Sequence, residues 1–198
     1  PFSGYMEFWG KKAHAPEMYY SFDLGDWHII SLNSESFRGD NEGFKKQLEW
    51  LKKDLAANSK KPIIAYWHRP LFSQAKNGGD PKAKPLWEAL LANGPALVFN
   101  GHNHIYERFA PLDQDGKQLE ENKGIQSFGI GPGGHGLPKD GQKRSQSPPA
   151  PLVFHQDSQH VGFFTLQSDG SFKFTIKAVD RNGIVTVIDE ASGKLLRH

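Results

Sequence analysis

The chain has 198 residues, 24 Lys and Arg against 22 Asp and Glu for a formal charge of +2, and a 37% hydrophobic share. That share argues for a packed domain or part of a larger one and against a disordered chain, while the balanced charge gives no support for a nucleic-acid binder. The absence of cysteine excludes disulfides and thiolate metal sites, and no apolar run approaches the roughly 20 residues that a membrane-crossing helix needs.

The chain opens on Pro1–Phe2–Ser3–Gly4, neither a start methionine nor a signal-peptide leader, so it is expected to be cut from something longer. Met18–Leu24 and Trp27–Leu32 are strand-like runs separated by Gly25–Asp26, which predicts a tight hairpin. Asp40–Asn41 offers a cap to a helix running to about Asn58, with Phe44, Leu48, Leu51 and Leu55 on one stripe. Pro62–Trp67 is an uninterrupted apolar run ending at His68. A second helix is expected around Pro85–Leu91, stopped by Asn93–Gly94–Pro95, before another apolar run at Ala96–Phe99. Such runs alternating with helices predict strands buried on both faces of a layered α/β sheet.

Beyond Pro111 the texture changes. Asp113–Gly116 reads as a turn, Gly131–Gly136 as a glycine-rich loop, and Lys139–Pro151 as a polar, proline-rich surface excursion. Val161–Leu166, Phe172–Val179 and Ile184–Ile188 are short strands, with hairpin signals at Asp169–Gly170 and Asn182–Gly183. They read as a second sheet packed on the first unit, with no internal repeat and no domain boundary.

Two of the expected strands deliver histidine at their C-terminal ends, His68 after the first and His102 and His104 after the second. Open α/β sheets bind ligands at that end, and neutral imidazole is a good ligand for zinc, iron, manganese and nickel. Residues two apart in an extended segment share a face, so His102 and His104 are expected to reach one metal cluster. Gly101 is expected to allow close backbone approach where a Cβ would be in the way. His14, His28, His155, His160 and His198 read as solvated or hydrogen-bonded surface groups, with His28 at an outward-facing strand position.

These residues also carry a resemblance. GHNHIYER at Gly101–Arg108 resembles the G-H-x-H-x-Y-E-R signature of the purple acid phosphatases, within the calcineurin-like metallophosphoesterases. YWHRPLF at Tyr66–Phe72 resembles that family's strand-end histidine motif, and YYSFDLGDWHIISLNSE at Tyr19–Glu35 the segment after its G-N-H-E motif. The similarity continues through QLEWLKKDL to the glycine-rich loop and closing strands.

The resemblance implies a four-layer α/β/β/α sandwich around two divalent or trivalent cations (Fe, Zn or Mn) that hydrolyse a phosphate ester. It implies that His68 and His102 bind the second ion and His104 the first, with Asn103 at a variable position. Tyr106, Glu107 and Arg108 would order the loop, and Arg69 and His135 are candidates to face substrate. It also suggests an extracellular or periplasmic location.

The rest of the family's ligand set is missing. Neither G-D-x-x-[DY] nor G-N-H-[DE] occurs; Leu24–Gly25–Asp26–Trp27 and Arg38–Gly39–Asp40–Asn41 come too late and continue wrongly. The chain is therefore expected to be the C-terminal portion of one domain. An N-terminal portion would supply the other ligands and the general acid, and without it the chain would be inactive and prone to aggregate through open edges. A non-catalytic module of the same fold, or a structural site for one metal ion, are the alternatives.

Overall fold

The protein, as a computed structural model, is described for residues 3–38, 41–138, 145 and 147–196. A short helix, α1 (Ser3–Trp9), precedes the hairpin of β1 (Tyr20–Leu24) and β2 (Trp27–Ser31), where Leu24 pairs with Trp27 across the predicted turn. Then come α2 (Asn41–Ala57), β3 (Ile63–Trp67), α3 (Lys84–Ala92), β4 (Ala96–Asn100), β5 (Tyr106–Arg108) and β6 (Ile125–Ile130). The chain closes with β7 (Val153–His155), β8 (Gln159–Leu166), β9 (Ser171–Val179) and β10 (Val185–Lys194). The expected Asp40 cap, most of the expected polar excursion and His198 lie outside the described residues.

One sheet has seven strands in the order β1-β2-β3-β4-β6-β5-β7, the other three in the order β10-β9-β8. Strands β2, β3, β4 and β6 are parallel, and β1, β5 and β7 run against their neighbours. Alternation within the short apolar runs decides the layering. Ile30, Ile63, Ala65, Ala96 and Val98 face Leu51 and Leu55 of α2 and Leu86, Trp87 and Leu90 of α3. The intervening Ile29, Ile64 and Leu97, with Phe128, face Phe172, Phe174 and Ile176 of the second sheet. Each fully buried large apolar side chain contributes about 1.5–3 kcal/mol, so both faces are needed to hold the central strands.

The described residues therefore form a helix layer, a mixed sheet and a second sheet, three layers of the α/β/β/α sandwich. On the outer side of the second sheet Phe163 is 54% exposed and Val161, Val185 and Val187 are also exposed. An apolar sheet face left open in this way suits a further covering layer.

The sequence did not mark β5, β6 or β7 as strands, and β10 runs six residues beyond the end expected at Ile188. β6 mixes Gln126, Ser127 and Gly129 into its run, and the end of β10 is polar. Backbone pairing to β4 and β9 imposes strand where side-chain pattern is silent.

Two histidines expected at the surface are buried. His28 is 4% exposed and its ring is held between Asp23 Oδ1 and Asp54 Oδ2, each at 2.8 Å. His160 is buried with no hydrogen-bond partner at Nδ1 among the described residues. Burial, then the neighbouring His155 charge, lower its pKa to about 4. His160 sits on a strand whose other face is solvated, and alternation alone does not say which face is which, whereas β2 around His28 is buried on both faces.

Candidate metal centre

β3 and β4 are parallel with Trp67 opposite Asn100, so His68 and Gly101–His102 leave the sheet side by side. Asn100 Nδ2 donates to Trp67 O at 2.9 Å and Gly101 N to His68 O at 3.1 Å, tying the two strand ends together. The chain then bends rather than extends. Asn103 N donates to Gly101 O at 2.7 Å, Ile105 N donates to Asn103 O at 2.8 Å, and His102 takes φ 63°. A left-handed histidine is uncommon and marks a backbone held in place by its surroundings.

The bend gives the two histidines different ring contacts, although both line one cleft. His102 Nδ1 lies 3.2 Å from His68 Nε2, whereas the His104 ring sits 4.2 Å from that of His135 and its Nδ1 is 2.8 Å from Gly136 O. The glycine that close packing requires is also a different one. A Cβ on Gly101 would meet His68 Nδ1 at an ordinary 3.4 Å, but one on Gly131 would lie 1.6 Å from Asn103 O.

Arg69 completes the first pair. Its Nη1 contacts His102 Nε2 at 3.0 Å, its Nε donates to Glu35 Oε1 at 2.8 Å, and its backbone N donates to Ser34 Oγ at 3.2 Å. Ser34 and Glu35 are positioned in turn by Gln47 of α2. This fully buried amide accepts from Asn33 N at 2.7 Å and donates to Asn33 O at 3.0 Å. Burial first, then the Arg69 charge, lower the pKa of both His68 and His102, favouring the neutral rings that ligate metals.

Two clefts flank His102. One of about 200 Å³ is lined by Lys76, Asn77, His102, His104 and Leu137; the other, about 340 Å³, by Arg69, Asn77, Gly79, Asp80 and His102. A larger cavity of about 380 Å³ opens between the sheets beside Arg108, Phe172 and Lys194 and shares no lining residue with them. It brings no imidazole to its wall.

The donor set fits a cation in part. Two nitrogens each about 2.1 Å from one ion, at tetrahedral to octahedral angles, lie about 3.0–3.4 Å apart. The 3.2 Å between His68 Nε2 and His102 Nδ1 falls inside that range. Among the described residues, no three His, Asp or Glu side chains form a metal-holding group.

Tyr106, Glu107 and Arg108 follow strand alternation. Tyr106 and Arg108 point to the second sheet, where the Tyr106 hydroxyl donates to Asp189 Oδ2 at 2.5 Å. Arg108 Nε and Nη2 donate to the two oxygens of the same carboxylate at 2.6 and 3.0 Å. Glu107 points the other way, is 1% exposed, and accepts from Gln74 N at 2.8 Å. Beside it Asn103 Nδ2 donates to Ser73 Oγ at 2.7 Å, so one buried network joins the loops after β3 and β4. The glycine-rich loop is clasped from β8: Gly134 N donates to Gln159 Oε1 at 3.0 Å, and Gln159 Nε2 to His135 O at 2.8 Å.

Sequence reasoning missed Asp189, Ser73, Gln74, Gln159 and Glu35. The only sign of Asp189 was a carboxylate directly after the apolar Val187–Ile188.

Burial pushes the Glu107 carboxyl up to about 7, against the hydrogen bonds from Ser73 and Gln74 that pull it down. A carboxyl raised in the folded state stabilises most below its unfolded pKa, and that contribution is lost as pH rises through the folded value. Glu107→Gln is therefore predicted to remove a fall in stability between about pH 4.5 and 7. Urea unfolding midpoints across that range check it; parallel pH profiles for the two proteins would count against the assignment.

The parallel sheet, with histidines at its strand ends and a second sheet on one face, defines a metallophosphoesterase fold. The calcineurin-like phosphoesterase family model matches residues 2–106, more than half of the chain, and the chain belongs to that family. Within it the chain is purple acid phosphatase-like. It is 32% identical over 152 residues to Purple acid phosphatase 22 of Arabidopsis thaliana, a match covering 71% of this chain and 32% of that protein. A purple acid phosphatase from yellow lupin (Lupinus luteus) seeds matches with TM-score 0.62 at 19% identity, over 90% of this chain and 33% of that one. PhoD matches with TM-score 0.63 at 11% identity, over 90% of this chain and 42% of its own. The structural likenesses carry the fold alone. The chain spans about a third or less of the length of the curated relatives it matches.

Proposed function

We propose that this chain furnishes part of a dinuclear metal centre that hydrolyses phosphate esters. The observation that carries the reading is the meeting of His68 Nε2 and His102 Nδ1, 3.2 Å apart at the ends of adjacent parallel strands. In this reading His68 and His102 hold one cation and His104 the other. The remaining ligands, including a bridging carboxylate, come from an N-terminal portion of the same domain, on a longer parent chain or a separate one. Fe, Zn or Mn suits imidazole with oxygen ligands. When bound, such a pair of ions supplies Lewis-acid polarisation of the phosphoryl group and an activated water.

The chain's own residues do the rest. Burial and the Arg69 charge keep His68 and His102 in their neutral, ligating form. Arg69 lines one cleft and the His135 ring lies 4.2 Å from that of His104, which lines the other, so a cationic or hydrogen-bonding group is near enough to orient an anionic ester. Tyr106, Glu107 and Arg108 hold the loop without facing the clefts. An extracellular or periplasmic setting goes with this reading by family likeness.

The test compares residues 1–198 with the completed domain, by metal content and turnover of a chromogenic phosphate ester. The completed domain should hold about two ions and turn over, and residues 1–198 alone should be inactive in excess zinc, manganese or iron. One ion without turnover would mark a structural site, and none a non-catalytic module. Robust metal-dependent hydrolysis by residues 1–198 alone would overturn the shared-site reading.

A further inference from the structure

Hydrogen-bond chemistry locates the proton on His102. A guanidinium donates and never accepts, so the 3.0 Å contact from Arg69 Nη1 makes His102 Nε2 the acceptor. The neutral ring then carries its hydrogen on Nδ1, where it points at His68 Nε2, 3.2 Å away. A cation shared by these two rings needs a lone pair on both His102 Nδ1 and His68 Nε2. The His102 proton must then sit on Nε2, where its N–H would confront an N–H of Arg69. Two donors head to head repel, so Arg69 cannot keep its seat on His102 while a cation occupies the pair.

We propose that Arg69 competes with the cation for His102 and, once displaced by it, turns into the adjoining cleft to dock a phosphoryl oxygen. The inference rests on the two-cation reading above and adds a coupling between metal loading and substrate binding. The geometry allows the turn. Nε on Glu35 and Nη1 on His102 belong to one rigid plane, so the whole guanidinium turns, and the cleft of about 340 Å³ that Arg69 lines lies against the same histidine. Asp80, the carboxylate in that cleft, already accepts from Lys82 N at 3.0 Å. In the loaded state the released guanidinium meets an incoming phosphoryl oxygen with the paired donors that suit it.

The experiment uses the completed domain and zinc alone, comparing wild type with Arg69→Met, which keeps an apolar stem, and Arg69→Ala. Removing a charged donor from His102 should tighten zinc binding by about tenfold in competition with a chromogenic chelator. Ring nitrogen NMR should find the His102 proton on Nδ1 in zinc-free wild type, and on Nε2 after zinc is added or in Arg69→Met. Zinc-loaded Arg69→Met should bind inorganic phosphate several-fold more weakly than zinc-loaded wild type. Unchanged or weaker zinc affinity in both variants overturns the proposal, as does an Nε2 proton in zinc-free wild type, equal phosphate affinity, or no zinc binding by any of the three proteins. Loss of turnover in the completed domain would instead sink the phosphoesterase reading and leave these binding results standing.

Discussion

Asp189→Ala should lower the unfolding free energy of this chain by about 3–5 kcal/mol, the usual loss when one partner of a buried ion pair is removed. Asp189 is only 9% exposed and accepts three hydrogen bonds, two from Arg108 and one from Tyr106. A break in the β9–β10 register between Val187 and Asp189 lets it reach across to the first sheet. Truncation would leave a partly buried guanidinium and a buried hydroxyl without their acceptor, and the removed carboxylate offers no compensating apolar contact. Asp189→Asn keeps the shape and one acceptor and should lose less. Urea denaturation followed by far-ultraviolet circular dichroism measures both. A loss below about 1 kcal/mol for the alanine variant would show that water re-satisfies Arg108 and Tyr106.

In the completed domain, His68→Ala or His102→Ala should remove one ion and reduce turnover by about a thousandfold or more, because several kcal/mol of transition-state stabilisation depend on both cations. His28→Ala is the informative contrast. Its outward position, expected from the sequence, would have made it mild. The buried ring between Asp23 and Asp54 makes it a stability variant instead, since two carboxylates lose their shared partner. It should destabilise while leaving metal content at two. Elemental analysis beside turnover separates the cases, and a His68→Ala protein that kept both ions and normal turnover would remove His68 from the ligand set.

Much of the framework was legible because it is local. The Gly25–Asp26 hairpin, the Phe44–Leu55 stripe and the two apolar runs ending at His68 and Asn100 each declare themselves within a dozen residues. Adjacency of His68 and His102 also followed, since parallel neighbours place their C-terminal ends together. What did not follow depends on the third dimension. The different ring contacts of His102 and His104 accompany a positive φ on a non-glycine residue, which no spacing rule anticipates. Asp189, 83 residues beyond Tyr106, and Gln159, 25 beyond Gly134, act on the site loops through the second sheet. His160 lies inside because alternation gives two faces and packing chooses between them, and His28 because its strand is covered on both.

The order in which the layers are made has a consequence for biosynthesis. Ile64 and Leu97 rest on Phe172, Phe174 and Ile176, and the Trp27 indole donates to Gln167 O at 2.8 Å, so the first sheet depends on residues made about 75 to 140 positions later. At ribosomal speeds the nascent chain carries that bare apolar face for roughly ten seconds. Non-local pairing of this kind is slow to form and open to capture while it waits. Stalled nascent chains should therefore crosslink to a holdase chaperone through Ile64 and Leu97 until residues 171–195 have cleared the exit tunnel, and release it once β9 and β10 have docked.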